Sequence, residues 1–191
     1  MALSDNALVS LEEVKRFYFP DMDKSKSQDD DLLEELIDRI TDQFEMYCGV
    51  DSFHDDDYTE YLDSAGSCLF IKNIPLNSIT NIWDDSDWTW GSDSTATSTD
   101  YRIVNDRYII FKYHMSNGNQ NIKITYNGGY TTIPGDLKQI CIKEVVREFK
   151  HRQDFDLLSK SLEDGSTTRV ESGLMLSTTQ ILDKYKRIRA F

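Results

Sequence analysis

The chain has 191 residues, a formal charge of −13, 39% hydrophobic residues and three cysteines. Its length suits one domain of ordinary size, or a core domain carrying an insertion, with enough apolar content for a sizeable core. No run approaches the ~20 apolar residues of a membrane span, and the acidic balance argues against sequence reading of nucleic acid, which needs basic patches against phosphate.

The charge is unevenly spread. Residues 1–135 hold 10 Lys+Arg against 25 Asp+Glu, whereas residues 136–191 hold 11 against 9. The opening Met1-Ala-Leu-Ser-Asp-Asn-Ala has neither the basic nor the apolar region of a signal peptide, so a cytosolic protein is expected. Cys48, Cys68 and Cys141 are odd in number and form no Cys-x-x-Cys pair. They read as buried, reduced thiols.

In chain order, Ser10-Leu-Glu-Glu13 is a capping box with Val9 and Val14 placed as a hydrophobic staple. A short helix should run to about Phe19 and stop at Pro20. A polar linker, 21–29, precedes a helix whose Leu33, Leu36, Ile37, Ile40, Phe44, Tyr47 and Cys48 form one apolar face, closed by Gly49. After the acidic loop 51–57 the period changes to alternation. Strands are expected at Thr59–Asp63, Ser67–Asn73, Ser78–Trp83, Tyr101–Val104, Arg107–Tyr113 and Gln120–Tyr126, with Asn117-Gly118 as a hairpin signal. Short strands with short turns imply an antiparallel sheet. Asp84–Asp100, rich in Ser, Thr, Asp and Gly, reads as an exposed loop.

Asn127-Gly-Gly129 supplies residues that tolerate positive φ, and Pro134-Gly-Asp136 leads into a helix with Leu137, Ile140, Cys141, Val145 and Phe149 on one face. Asp136 with Gln139 reads as its cap, and the helix is expected to reach as far as Leu162. After a polar connection, 163–173, Ser177-Thr-Thr-Gln180 with Leu176 and Ile181 should start a last helix ending in Lys184-Tyr-Lys-Arg-Ile-Arg-Ala-Phe191. That basic, aromatic end suits docking against an acidic partner surface, since Arg and Tyr concentrate interface energy.

Several chemistries can be weighed. Asp21–Leu32 places oxygen side chains at alternate positions of a calcium loop, but Lys26 replaces the turn glycine and Leu32 the closing carboxylate. His54-Asp-Asp-Asp57 reads as a solvated acidic loop, because adjacent loop residues seldom converge on one ion. His54, His114 and His151 form no recognisable catalytic arrangement. Trp83, Trp88 and Trp90 could stack on sugar faces beside paired carboxylates, which keeps a carbohydrate-binding or glycan-hydrolysing reading open. Trp83, in a strand, reads as core; Trp88 and Trp90, in the Ser/Thr loop, read as a protein contact on the tail side or with a neighbour. No catalytic residue, cofactor or metal is expected.

Four pieces in order carry a resemblance: the Ser10-Leu-Glu-Glu-Val-Lys opening helix, Asp30-Asp-Leu-Leu-Glu-Glu-Leu-Ile-Asp-Arg-Ile40 ending at Tyr47-Cys-Gly49, the strand entry Ile74-Pro-Leu-Asn-Ser-Ile-Thr-Asn-Ile82, and Tyr126-Asn-Gly-Gly-Tyr130 followed by Ile133-Pro-Gly-Asp-Leu-Lys138. With them the chain resembles the head–tail connector (adaptor) proteins of tailed bacteriophages. The resemblance implies an α+β protein and not an enzyme: a helical core of residues 1–57 and 127–165, an antiparallel β insertion of residues 58–126, and a C-terminal docking segment of residues 166–191. It further implies a ring of twelve copies beneath the portal protein, assembled in the host cytoplasm and housed at the head–tail interface of the virion. Double-stranded DNA would pass through without sequence-specific contact, and a stopper or tail-completion protein would follow; another ring component of head or tail completion is an alternative. By the same analogy the portal contact falls on Lys184, Tyr185, Lys186, Arg187, Arg189 and Phe191.

Overall fold

The computed structural model describes residues 3–18, 29–64, 66–91, 100–152, 160–161, 167–168 and 173–187. They form an α+β protein of two compact units, one of Met1–Tyr47 with Pro134–Lys184, the other of Cys48–Ile133 with Tyr185–Phe191.

The helical unit contains α1 (Leu11–Tyr18), α2 (Asp30–Cys48, whose final residue falls in the other unit), α3 (Gly135–His151) and α4 (Leu176–Leu182). The capping box forms as expected: Glu13 N–H donates to Ser10 Oγ at 3.2 Å and Ser10 N–H to Glu13 Oε2 at 2.9 Å. Val9 and Val14 are both buried, so the staple that fixes the entry of α1 is made. On α2, Leu33, Leu36, Ile37, Ile40 and Phe44 are buried, and Gly49 closes the helix at φ +74°. On α3 the five expected core residues are buried. Ion pairs tie the helices together. Lys15 meets Asp30 at 2.6 Å with both side chains nearly buried, Lys138 meets Glu13 at 2.9 Å, and Arg39 meets Glu148.

Four helix-end expectations are corrected. Pro134 is the N-cap of α3 and no side chain caps it; Asp136 instead accepts from the adjacent Leu137 N–H at 3.0 Å. A proline with φ already set for helix entry can take over that place. The helix ends at His151, with Arg152 as its C-cap. There the Arg152 guanidinium donates to the Phe149 carbonyl at 2.7 Å and covers the Phe149 ring at 4.0 Å. Met175 is the N-cap of α4, again without a side-chain bond, and Leu176 is 72% exposed and makes no staple. A 3-10 turn, Asp183–Tyr185, follows α4, so Lys186 and Arg187 stand outside any helix. A two-residue pairing of β7 (Lys160–Ser161) with β8 (Thr167–Thr168) completes this unit.

The β unit holds β1 (Asp56–Ser64), β2 (Cys68–Phe70), β3 (Leu76–Asp84), β4 (Tyr101–Val104), β5 (Tyr108–Phe111) and β6 (Gly118–Gly128). Among the described residues every pairing between these strands is antiparallel, as expected, but they form two three-stranded sheets, ordered β1-β6-β3 and β2-β5-β4. Asn117-Gly118 therefore makes no hairpin, because β5 and β6 lie in different sheets. Both sheets contribute to one core: Leu69, Ile109 and Phe111 from one, Leu76, Ile82, Ile122, Ile124 and Tyr126 from the other. Gly129, at φ +104°, follows β6 and donates to the Pro75 carbonyl at 2.9 Å. A Cβ on Gly129 would collide with the His54 backbone.

Cys48 and Cys141 are buried and outside any disulfide, whereas Cys68 is exposed, against expectation. Alternation explains it: in β2 only the central Leu69 faces the core. Burial pushes the Cys141 thiol up to about 12. A thiol reagent at neutral pH should thus label Cys68 at once and reach Cys48 and Cys141 only on unfolding, a mass-spectrometric time course being the check. Ser10→Ala should cost about 1 kcal/mol in chemical denaturation, and Gly129→Ala at least about 2 kcal/mol, because the residue would need both a new backbone conformation and new space.

Candidate functional site

Two places in the chain gather the residues singled out from the sequence. The first is the C-terminal segment. In the helical unit, Glu144 of α3 is fully buried and its Oε1 accepts from Met175 N–H at 2.8 Å, while its Oε2 lies 2.9 Å from Arg147 Nη2. Arg147 also donates to the Gly173 carbonyl. One buried carboxylate and its guanidinium so fix the chain just before α4, and Leu182, wholly buried, fixes its end. Tyr47 Oη donates to Asp183 at 2.9 Å.

In the β unit, Tyr185 sets its ring edge-on to Phe53 at 6.4 Å and to Tyr130 at 6.0 Å. Arg187 N–H donates to the Cys48 carbonyl at 2.9 Å, and its Nη2 lies 3.4 Å from the Phe70 carbonyl. Tyr126 accepts from Asn73 N–H at 3.0 Å and donates to Glu60, whose Oε1 also accepts from Lys72 N–H at 3.0 Å. Burial, then the Glu60 charge, raise the Tyr126 hydroxyl well above its ordinary range, so it stays a donor to Glu60. Tyr185 and Arg187 are thus engaged within the chain. Lys184 is exposed and Lys186 half-buried. Arg189 and Phe191 lie outside the described residues.

The second place is the solvent face of the β1-β6-β3 sheet. Lys123 of β6 stands opposite Tyr61 of β1 and Trp83 of β3 in one cross-strand row. Its ammonium lies over Trp83 at 4.8 Å and over Tyr61 and Trp90 at 5.9 Å each. Trp90 packs against Tyr61 at 5.6 Å, and Trp88 is 59% exposed. Trp83, expected in the core, is therefore half-buried under a lysine. The register of β3 against β6 shifts twice before Trp83, which alternation alone could not locate.

The loop after β3 is organised by Asp85. Its carboxylate accepts from Asp87 N–H at 2.9 Å, Thr89 N–H at 3.1 Å, Trp90 N–H at 2.8 Å and the Thr89 hydroxyl at 2.6 Å. Those bonds, the Thr89 hydroxyl first, hold the carboxyl below its usual range. Trp88, Trp90, Tyr61 and Gln120 line an open recess of about 260 Å³. Sequence reasoning found the two tryptophans but missed Tyr61, Gln120 and Lys123, which reach them only through long-range strand pairing.

The other candidates do not assemble. Asp55, in the acidic loop, accepts from Thr131 Oγ1 at 3.1 Å and Asn77 Nδ2 at 3.5 Å. No grouping of His, Cys, Asp or Glu among the described residues could hold a metal ion. The calcium-like stretch falls largely on residues 19–28, outside the description.

A family model for head completion proteins matches residues 7–188. The chain belongs to that family. This agrees with the resemblance to phage head–tail connectors, and a structural role in completing the virion head goes with it. As a head completion protein it also shares its fold with chains of gene transfer agent (GTA) particles. One is in the neck of an empty particle computed with sixfold symmetry, at 12% identity and a TM-score of 0.61, covering 100% of this chain and 95% of that one. A second, in the virion of a native particle, gives the same values. A third, in a native neck computed with twelvefold symmetry, has 13% identity and a TM-score of 0.55, covering 100% and 98%. Comparison with curated proteins finds no match.

Because the Asp85 carboxyl is depressed in the folded chain, the order it gives the loop is present above the ordinary Asp value near ~3.9 and is lost as pH falls through the lower folded value. Tryptophan emission should hold constant from neutral pH to about 4 and change below it; Asp85→Asn should show the acid-form spectrum at neutral pH.

Proposed function

We propose that this head completion protein is an adaptor that assembles as a ring of twelve copies beneath the portal, prolongs the DNA channel and presents its far rim to a stopper or tail-completion protein. The observation that carries the reading is the family match over residues 7–188, and the fold shared along the whole chain with neck proteins of GTA particles supports it. Its work is mechanical, with no chemical step. The formal charge of −13 suits a conduit wall, since an acidic surface repels the duplex at each phosphate and lets it slide.

The C-terminal segment is the proposed portal contact. Tyr185 and Arg187 anchor its root to the β unit, and the exposed Lys184, the half-buried Lys186 and the following residues through Arg189 and Phe191 are the proposed contacts to an acidic portal surface. Repetition around the ring lets a weak single contact hold firmly.

The test is to mix the purified chain with its portal ring and measure the mass of the complex by light scattering. The intact chain should bind in ring stoichiometry, and the double change Lys184→Glu with Lys186→Glu should weaken binding at least about tenfold, a loss of ~1.4 kcal/mol. Absence of binding by the intact chain would sink the portal-facing reading.

A further inference from the structure

The recess on the β1-β6-β3 sheet has features that channel formation does not require. Three of its four lining residues, Trp88, Trp90 and Gln120, hold left-handed backbone at φ 57°, 53° and 48°. The only other described non-glycine residues with positive φ are the turn pair Asn105 and Asp106. Tryptophan rarely adopts this conformation, and such strain persists where surroundings impose it, as at binding sites. Asp85 imposes it on the Trp88–Trp90 loop, and Asp63 accepts the Gln120 N–H at 2.7 Å. The strain does not serve burial, because Trp88 is 59% and Tyr61 49% exposed.

Lys123 adds a second observation: three ring faces surround its ammonium, and among the described residues none supplies it a hydrogen-bond acceptor. At about 260 Å³ the recess is smaller than the ~300–1,000 Å³ of small-molecule pockets. It suits one inserted side chain, and Trp and Tyr are the residues on which such anchors gain most.

We propose that the recess receives Met46 from a second copy of this chain, with that copy's Asp42 carboxylate brought to Lys123. The inference rests on the ring reading and deepens it by naming the contact between neighbours. Charge selects the occupant. Among the described residues, the large exposed apolar side chains outside the recess are Phe17, Met46, Ile110, Tyr113 and Leu176. Arg16 lies over Phe17 and Lys112 over Tyr113, each at 5.4 Å, and Arg102 faces Ile110 across the strands, so those three would carry a cation toward Lys123. Leu176 follows Gly173, whose carbonyl holds Arg147. Met46 is the most exposed, at 81%, with exposed Asp42 one turn earlier on the same face and no basic residue in the last turn of α2. Its thioether packs favourably at ring edges. The contact joins different patches on two copies, which is the type that closes a ring.

The test uses full-length chains with Cys68→Ser, to remove the exposed thiol, assembled on the portal ring. Chains with Met46→Cys are mixed with chains with Gln120→Cys and treated with a short bis-maleimide. Cross-linked dimers should appear in the mixture and in neither chain alone. Met46→Lys and Trp88→Ala, both at exposed positions, should each raise the concentration needed for ring closure about 30-fold, and the two changes together by much less than the product. Rings that close normally with either variant and yield no cross-link overturn the pairing while leaving the adaptor reading intact. A wild-type chain that binds the portal but forms no ring defeats both. Retention of the wild-type chain on a neutral polysaccharide, lost with Trp88→Ala, assigns the recess to sugar and overturns the pairing as well.

Discussion

Strand β6 is the element on which the β unit depends. It is bonded on both sides, by β1 and β3, and its two faces do different work. Inward it supplies Ile122, Ile124 and Tyr126, all wholly buried, to the core shared by both sheets. Outward it places Lys123 between Tyr61 and Trp83. Because side chains alternate strictly along a strand, a one-residue slip would exchange these sets and bury an ammonium. At its end, Gly129 takes a left-handed turn against the His54 backbone, and Tyr126 anchors the hydroxyl network with Asn73 and Glu60.

Much of this was legible in the residues. The capping box at Ser10 and Glu13 is a local code written within four positions, and the apolar faces of α2 and α3 follow helical spacing. Each α-helix among the described residues was placed, and β4 was found to the residue. What failed was non-local. Asn117-Gly118 has the composition of a hairpin, yet nothing nearby says that β5 and β6 belong to separate sheets. Asp136 and Ser177 have capping side chains, but Pro134 and Met175 took those places. Cys68 was misread because a three-residue strand has too few positions to reveal its phase. At the candidate site, Trp88 and Trp90 stood out as aromatics in a polar loop. Tyr61 and Lys123 did not, since 62 residues separate them in sequence and only strand register joins them.

The C-terminal segment, proposed above as the portal contact, also has work in the fold. Sequence reading took Lys184 to Phe191 as the docking end of the last helix, begun at Ser177. The described part instead divides the work: Tyr185 lies against Phe53 and Tyr130, Arg187 binds the Cys48 carbonyl, and Lys184 remains exposed. Anchoring the root of a segment restricts the conformations its remainder must give up on binding, so affinity is gained without added contacts. In the ring proposed above such economy has a use, because each subunit would contribute a small share of a repeated contact.

The central claim, an adaptor ring gripping the portal through its C-terminal residues, is tested most directly by a density map of the chain bound to its portal ring. The account expects a closed ring of twelve copies, with residues 184–191 of each laid against the portal. A map in which the portal meets another surface of the chain, or in which single copies bind without closing a ring, would contradict it.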